Sequence, residues 1–148
     1  YDVNFLSHQN ISQLAVQAMK KQNTGGLILY NLSKQAINPG KNFGPYGLAK
    51  SSTLFLMKLY EIDCGKYIIR VNGINADRIV SGLLTKKLIS QRANARGLSE
   101  QKYLSNNLLE TQVLAEDVAQ AFFAQTLLKK TTANIITVDG GNIEASLR

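Results

Sequence analysis

Three short apolar runs constrain this chain more than any other feature. They are "LILYNLS" at 27–33, "IIRVNGINA" at 68–76 and "NIITVDGG" at 134–141. Each is too short for a buried helix and rich in aliphatic residues, as a strand buried on both faces is. Between and before them the apolar residues recur at helical spacing. Phe5, Leu6, Ile11, Leu14, Ala15 and Ala18 mark an amphipathic helix that begins almost at the first residue and stops at "NTGG". Leu48, Ser52, Phe55, Leu56 and Leu59 mark a second helix over about 46–63. Residues 78–112 are polar and helical in pieces, and "LAEDVAQAFFAQTLLKK" is a helix whose Glu116 and Asp117 suit its positive end. Strands alternating with helices give an α/β fold with a parallel sheet.

In an open parallel sheet, ligands bind beyond the carboxyl ends of the strands. The segments after Ser33, after Asn75 and after Asp139 leave those ends, and the chemistry is expected at the first two. The loop "KQAINPGKNFGP" leads from Ser33 into "YGLAK". On a helix, positions i and i+4 share a face, so Tyr46 and Lys50 project together. A phenol with a pKa of about 10 is a poor base at neutral pH. An ammonium ~4 Å away, at an effective dielectric of ~20, favours the phenolate by up to about 4 kcal/mol, an upper scale of roughly three pKa units. Ser33, thirteen residues before Tyr46, would add a hydroxyl for a substrate oxygen. Taken alone, the same pair also fits a tyrosine packed over a helix start and a lysine in water.

Other chemistries find less support. The 148 residues carry a net charge of +7, but no basic run is interleaved with aromatics, and solvated helix faces or an anionic ligand explain the excess without nucleic acid. There is no zinc-ligand pattern, no secretory signal and no apolar run of membrane-spanning length. The single cysteine, Cys64, excludes an internal disulfide and fits a reducing, cytoplasmic setting; it reads as a small apolar filler. His8, the only histidine, reads as a polar helix residue, Arg70 as structural near its strand, and Asp139 as a turn former before Gly140-Gly141.

The order of "LILYNLS", "YGLAK", "IRVNGINADRI" and "ITVDGG" resembles the short-chain dehydrogenase/reductase family. The resemblance covers essentially the whole chain but only the second half of the family's domain. It implies the C-terminal half of a Rossmann-like, doubly wound parallel sheet: about three parallel strands with flanking helices in one partial domain, residues 1–148. It also implies that Tyr46 is the catalytic acid/base, that Lys50 lowers the tyrosine's pKa and binds the nicotinamide ribose, and that Ser33 polarises the substrate carbonyl. Asn4 would hold a water in a proton relay, although by spacing it is equally a polar helix residue. Ile79 and Ser81 fall where the family touches the nicotinamide carboxamide. The implied cofactor is NAD or NADP in the intact parent, the substrate a small alcohol, aldehyde or sugar-derived metabolite, and the assembly a homo-oligomer.

Two departures stand out. Ala76-Asp77 replace the family's usual Pro-Gly after "VNGIN", and no glycine-rich turn runs from a first strand into a first helix to hold a pyrophosphate. The chain is therefore expected to be a fragment, inactive alone. "SKQAINPGKNFGPYGLAKSSTLFLMK", "VNGINADRIVSGLLT" and "TVDGGNIEASLR" further resemble the dehydrogenase part of bifunctional aldolase/short-chain dehydrogenases of the rhamnulose-phosphate type. The alternative is a non-catalytic interaction module that keeps the fold for assembly.

Overall fold

The computed structural model describes residues 1–41 and 43–143; Asn42 and residues 144–148, the end of the "TVDGGNIEASLR" phrase, lie outside the described residues. One π-helical turn, Asp2–Leu6, runs into α1 (Ser7–Gln22). That helix ends where Asn23 turns left-handed at φ 53° and its N–H reaches the Met19 carbonyl, with Lys20 and Lys21 at the negative end. Then come β1 (Gly26–Asn31), α2 (Pro45–Cys64), β2 (Ile69–Ala76), α3 (Lys86–Asn94), α4 (Glu100–Leu104), α5 (Ala115–Leu127) and β3 (Ile135–Val138).

The three strands form one parallel sheet in the order β1-β2-β3, with Gly26 opposite Ile69 and Gly73 opposite Ile135. Side chains alternate across the central strand. Ile69 and Val71 face the core built with Val16, Tyr30, Leu54, Met57 and Cys64 from α1, β1 and α2. Arg70 and Asn72 face the other way. Arg70 caps the end of α5 by donating to the Gln125 and Leu128 carbonyls at 3.1 and 2.8 Å, and Asn72 ties the segment before β3 through Thr131 and Asn134. Helices thus cover both faces, as the doubly wound reading requires. A smaller cluster, Leu84, Ile89, Ala93 and Tyr103, sits under α3 and α4.

The inward face of α1 differs from the sequence reading. Ser12 and Val16 are buried, whereas Ile11 and Leu14 are 68% and 67% exposed. Helical spacing marks a stripe but not which side the sheet occupies. Ser12 turns inward because its hydroxyl meets the Tyr30 hydroxyl at 2.6 Å, giving a buried polar pair. On α2 the same holds. Leu54, Leu56 and Met57 pack inward, and Leu48, Phe55, Leu59 and Ile62 face out. Cys64 is a buried free thiol whose pKa burial pushes up, as a filler's should be.

Candidate active site

The turn after β1 and the start of α2 are held against each other by close backbone approach. A side chain at Gly47 would put its Cβ 2.9 Å from the Gln35 carbonyl oxygen, so the glycine in "YGLAK" lets the helix sit on the Ser33 turn. Gly44, at φ 58°, and Pro45 in the first turn start that helix. Ser51 adds a hydrogen bond to the Ala36 carbonyl.

Ser33 caps the short 3₁₀ turn Lys34–Ala36, its oxygen accepting the Gln35 N–H at 3.2 Å. A hydroxyl that only accepts there keeps its proton to donate elsewhere. Ser33 and Tyr46 both line one cleft of about 730 Å³ at the carboxyl ends of the strands, together with Ile79 and Ser81. Lys50 stands behind Tyr46, only 6% exposed, with its Nζ 5.9 Å from the Tyr46 ring centre. It donates to the Asn31 carbonyl at 3.0 Å, at the very end of β1. Burial lowers the Lys50 pKa.

Asn4 is not among the cleft-lining residues. Its carbonyl accepts a hydrogen bond from Thr53, one turn after Lys50's side of α2, which ties the first helical turn to the site helix. His8 lies closer to the site than a plain polar helix position. It is half-buried, stacks on Tyr30 with ring centres 6.2 Å apart, and its pKa is lowered by burial and by the Lys50 charge. Tyr30 is a poor candidate for proton transfer, since burial pushes its pKa up to about 12 despite the Ser12 hydrogen bond.

Sequence reasoning missed a buried polar network at the sheet end. Lys34 and Asp139 pair at 2.6 Å with side chains 3% and 2% exposed, and Lys34 also donates to the Asn142 carbonyl at 2.7 Å. Asn142 in turn donates to Asp77 at 2.6 Å, and Arg78 lies 3.6 Å from the same carboxylate. Asp139 does form the expected turn, accepting the Gly141 N–H at 2.8 Å, but its second oxygen serves Lys34. The unusual Ala76-Asp77 thus has a structural account: Asp77 anchors the segment after β2 to the segment after β3. Strand-end positions of Lys34 and Asp139 were the available signal.

The family of short-chain fold described as Enoyl-(Acyl carrier protein) reductase matches residues 1–142. The 7alpha-hydroxysteroid dehydrogenase of Escherichia coli (strain K12) is 31% identical over 146 residues, 97% of this chain and 54% of that protein. The uncharacterized oxidoreductase YuxG of Bacillus subtilis (strain 168) is 32% identical over 139 residues, 88% of this chain and 20% of that protein. Among solved structures, sorbitol-6-phosphate 2-dehydrogenase SrlD from Erwinia amylovora superposes with a TM-score of 0.81 at 21% identity, over 99% of this chain and 58% of that one. A 4-hydroxyisoleucine dehydrogenase mutant complexed with NADH and succinate gives 0.80 at 20%, over 97% and 57%. At these identities the two structures establish the fold alone. The chain belongs to the short-chain dehydrogenase/reductase family. It spans 20% and 54% of the lengths of the two curated relatives.

Proposed function

We propose that this chain supplies the catalytic half of an NAD(P)-dependent oxidoreductase acting on a small alcohol, aldehyde or sugar-derived metabolite. The observation that carries the reading is the convergence of Ser33 and Tyr46 on one cleft, with Lys50 buried behind the tyrosine. The residues present fit a nicotinamide. The cleft opens at the strand ends, where α/β folds bind nucleotides, and Lys50, Tyr46, Ile79 and Ser81 would hold the nicotinamide riboside. When bound, that group supplies the hydride chemistry. The protein supplies the proton path and the positioning. Ser33 donates to the substrate oxygen. Tyr46 Oη gives that oxygen a proton, or takes one in the oxidative direction. The Lys50 ammonium faces Tyr46 and favours the transient phenolate. Asn4 belongs to the support of this helix, with its side chain assigned to the proton relay.

The full-length protein is expected to oxidise NADH or NADPH with small carbonyl compounds, whereas the 148-residue chain alone binds neither below the millimolar range, about −4 kcal/mol. Gly25 and Gly26 lie at the entrance of β1, and Gly140 and Gly141 follow β3, so neither pair leads a strand into the N-terminus of a described helix. Fluorescence titration decides this, and micromolar binding by the chain alone would sink it. The match to a fifth of YuxG shows that a much longer protein carries a chain of this kind. The placement beside an aldolase part in a bifunctional parent, within the cytoplasm, rests on the sequence phrases that resemble such proteins and on the single buried cysteine.

An assembly role accompanies catalysis. Ile11 and Leu14 on α1 and Leu48, Phe55 and Ile62 on α2 are all more than 60% exposed, an apolar surface that favours homo-oligomer formation. Sedimentation should give a dimer or larger at micromolar concentration, and Phe55→Asp with Ile62→Asp should shift it toward monomer. A monomeric wild type would reject the assembly.

A further inference from the structure

The cleft carries more positive charge than its own carboxylates balance. Four cationic side chains line it: Lys34, Arg78, Arg92 and Arg96. Lys34 is paired with buried Asp139, and Arg78 faces Asp77. Neither Arg92 nor Arg96 has a carboxylate partner among the described residues.

Arg92 is held in a particular way. Its guanidinium carbon lies 3.8 Å from the centre of the Phe43 ring, and that ring centre is 6.1 Å from the centre of Tyr46. Stacking uses the face of the guanidinium and leaves its edge, with paired N–H donors, free for a planar or tetrahedral anion. No described oxygen accepts from that edge. Arg96 lines the same cleft, donates to the Arg92 backbone carbonyl at 3.2 Å, and has its guanidinium carbon 5.5 Å from the centre of the Tyr103 ring. Asn38 lines the same cleft, and its amide nitrogen is buried with no acceptor among the described residues. A buried donor left unpaired is costly, and a small local adjustment that brought it to an acceptor-rich ligand group would relieve that cost.

We propose that the substrate is anionic. Its reacting hydroxyl or carbonyl lies at Ser33 and Tyr46, and its far end carries a phosphate or carboxylate bound by the edge of Arg92, with Arg96 and the Asn38 amide completing the pocket. This rests on the oxidoreductase reading for the reacting end only. Phe43 stands between Arg92 and Tyr46 on the cleft wall, so a substrate with its reacting carbon at Tyr46 would carry its anionic end past that ring. Phe43 is then a platform that fixes the charge in place.

Three probes with one six-carbon skeleton test it: sorbitol, gluconate and sorbitol 6-phosphate, titrated calorimetrically into the full-length protein. At least one anionic probe should bind roughly tenfold or more tightly than sorbitol, the scale of one or two charged hydrogen bonds. Arg92→Gln with Arg96→Gln should remove most of that preference and leave the melting temperature unchanged. Arg92→Lys should restore only part, because lysine lacks the paired donors. Equal binding of all three, binding of none, or a preference that survives the double variant would overturn the proposal. So would a double variant that weakens NADPH binding alone, since the arginines would then serve the cofactor's phosphates. Selective anion binding together with no hydride transfer from either nucleotide to any carbonyl tried would uphold the anion pocket and reject the oxidoreductase reading.

Discussion

On the proposed function, Tyr46→Phe in the full-length protein is expected to lower turnover by roughly 10²–10⁴-fold, the usual worth of a positioned proton donor, and to leave nicotinamide binding close to wild type. The reason is local. Phenylalanine keeps the ring that packs beside Phe43 and removes only the hydroxyl of a residue that lines the cleft with Ser33. Lys50→Ala should damage both binding and turnover, because Lys50 holds two positions at once: toward Tyr46 at 5.9 Å and on the Asn31 carbonyl at 3.0 Å. Comparing kcat with the nucleotide dissociation constant separates the two variants. A Tyr46→Phe protein that retains near-normal turnover would remove the tyrosine from the proton path.

Lys34→Met has the largest expected effect on stability. The side chain carries almost no exposed area, and its partner Asp139 carries none to spare. Removing one member of a buried pair strands the other charge, which costs about 3–5 kcal/mol. In a domain of this size that lowers Tm by on the order of 10 °C. The double variant Lys34→Met, Asp139→Leu should recover much of the loss, because no unpaired charge remains. Thermal unfolding of the three variants beside wild type reads this directly. A single variant as stable as wild type would mean that the pair does not tie β1 to β3. The lost tie has a catalytic consequence too: Ser33 precedes Lys34, and its turn is pinned through Lys34 to Asn142, 108 residues away.

Local pattern was enough for several features. Short apolar runs separated by helical periods gave parallel strands and flanking helices, because strand and helix periodicities follow from backbone geometry alone. The i, i+4 spacing put Tyr46 and Lys50 on one face of α2, and the strand-end rule brought Ser33 to the same cleft. The Asp139 turn was equally legible, since its partner Gly141 stands two residues on. A structural role for Arg70 was read as well, but its partners Gln125 and Leu128 lie more than fifty residues away and came only with the fold.

Tertiary structure alone decided which side of each helix is inside. The stripe of Ile11 and Leu14 looks like a core face until the sheet is seen to lie against Ser12 and Val16. An apolar stripe buries itself against whatever lies opposite, and a single sequence does not say whether that is the chain's own sheet or another copy. The Lys34–Asp139 pair, the Asp77–Asn142 link and the stacking of Arg92 on Phe43 were hidden for a related reason. Each joins segments far apart in sequence that meet only because three parallel strands end on the same side. Periodicity determined the elements of this protein. The convergence of its strand ends determined which charges are buried in pairs and which are left facing the cleft.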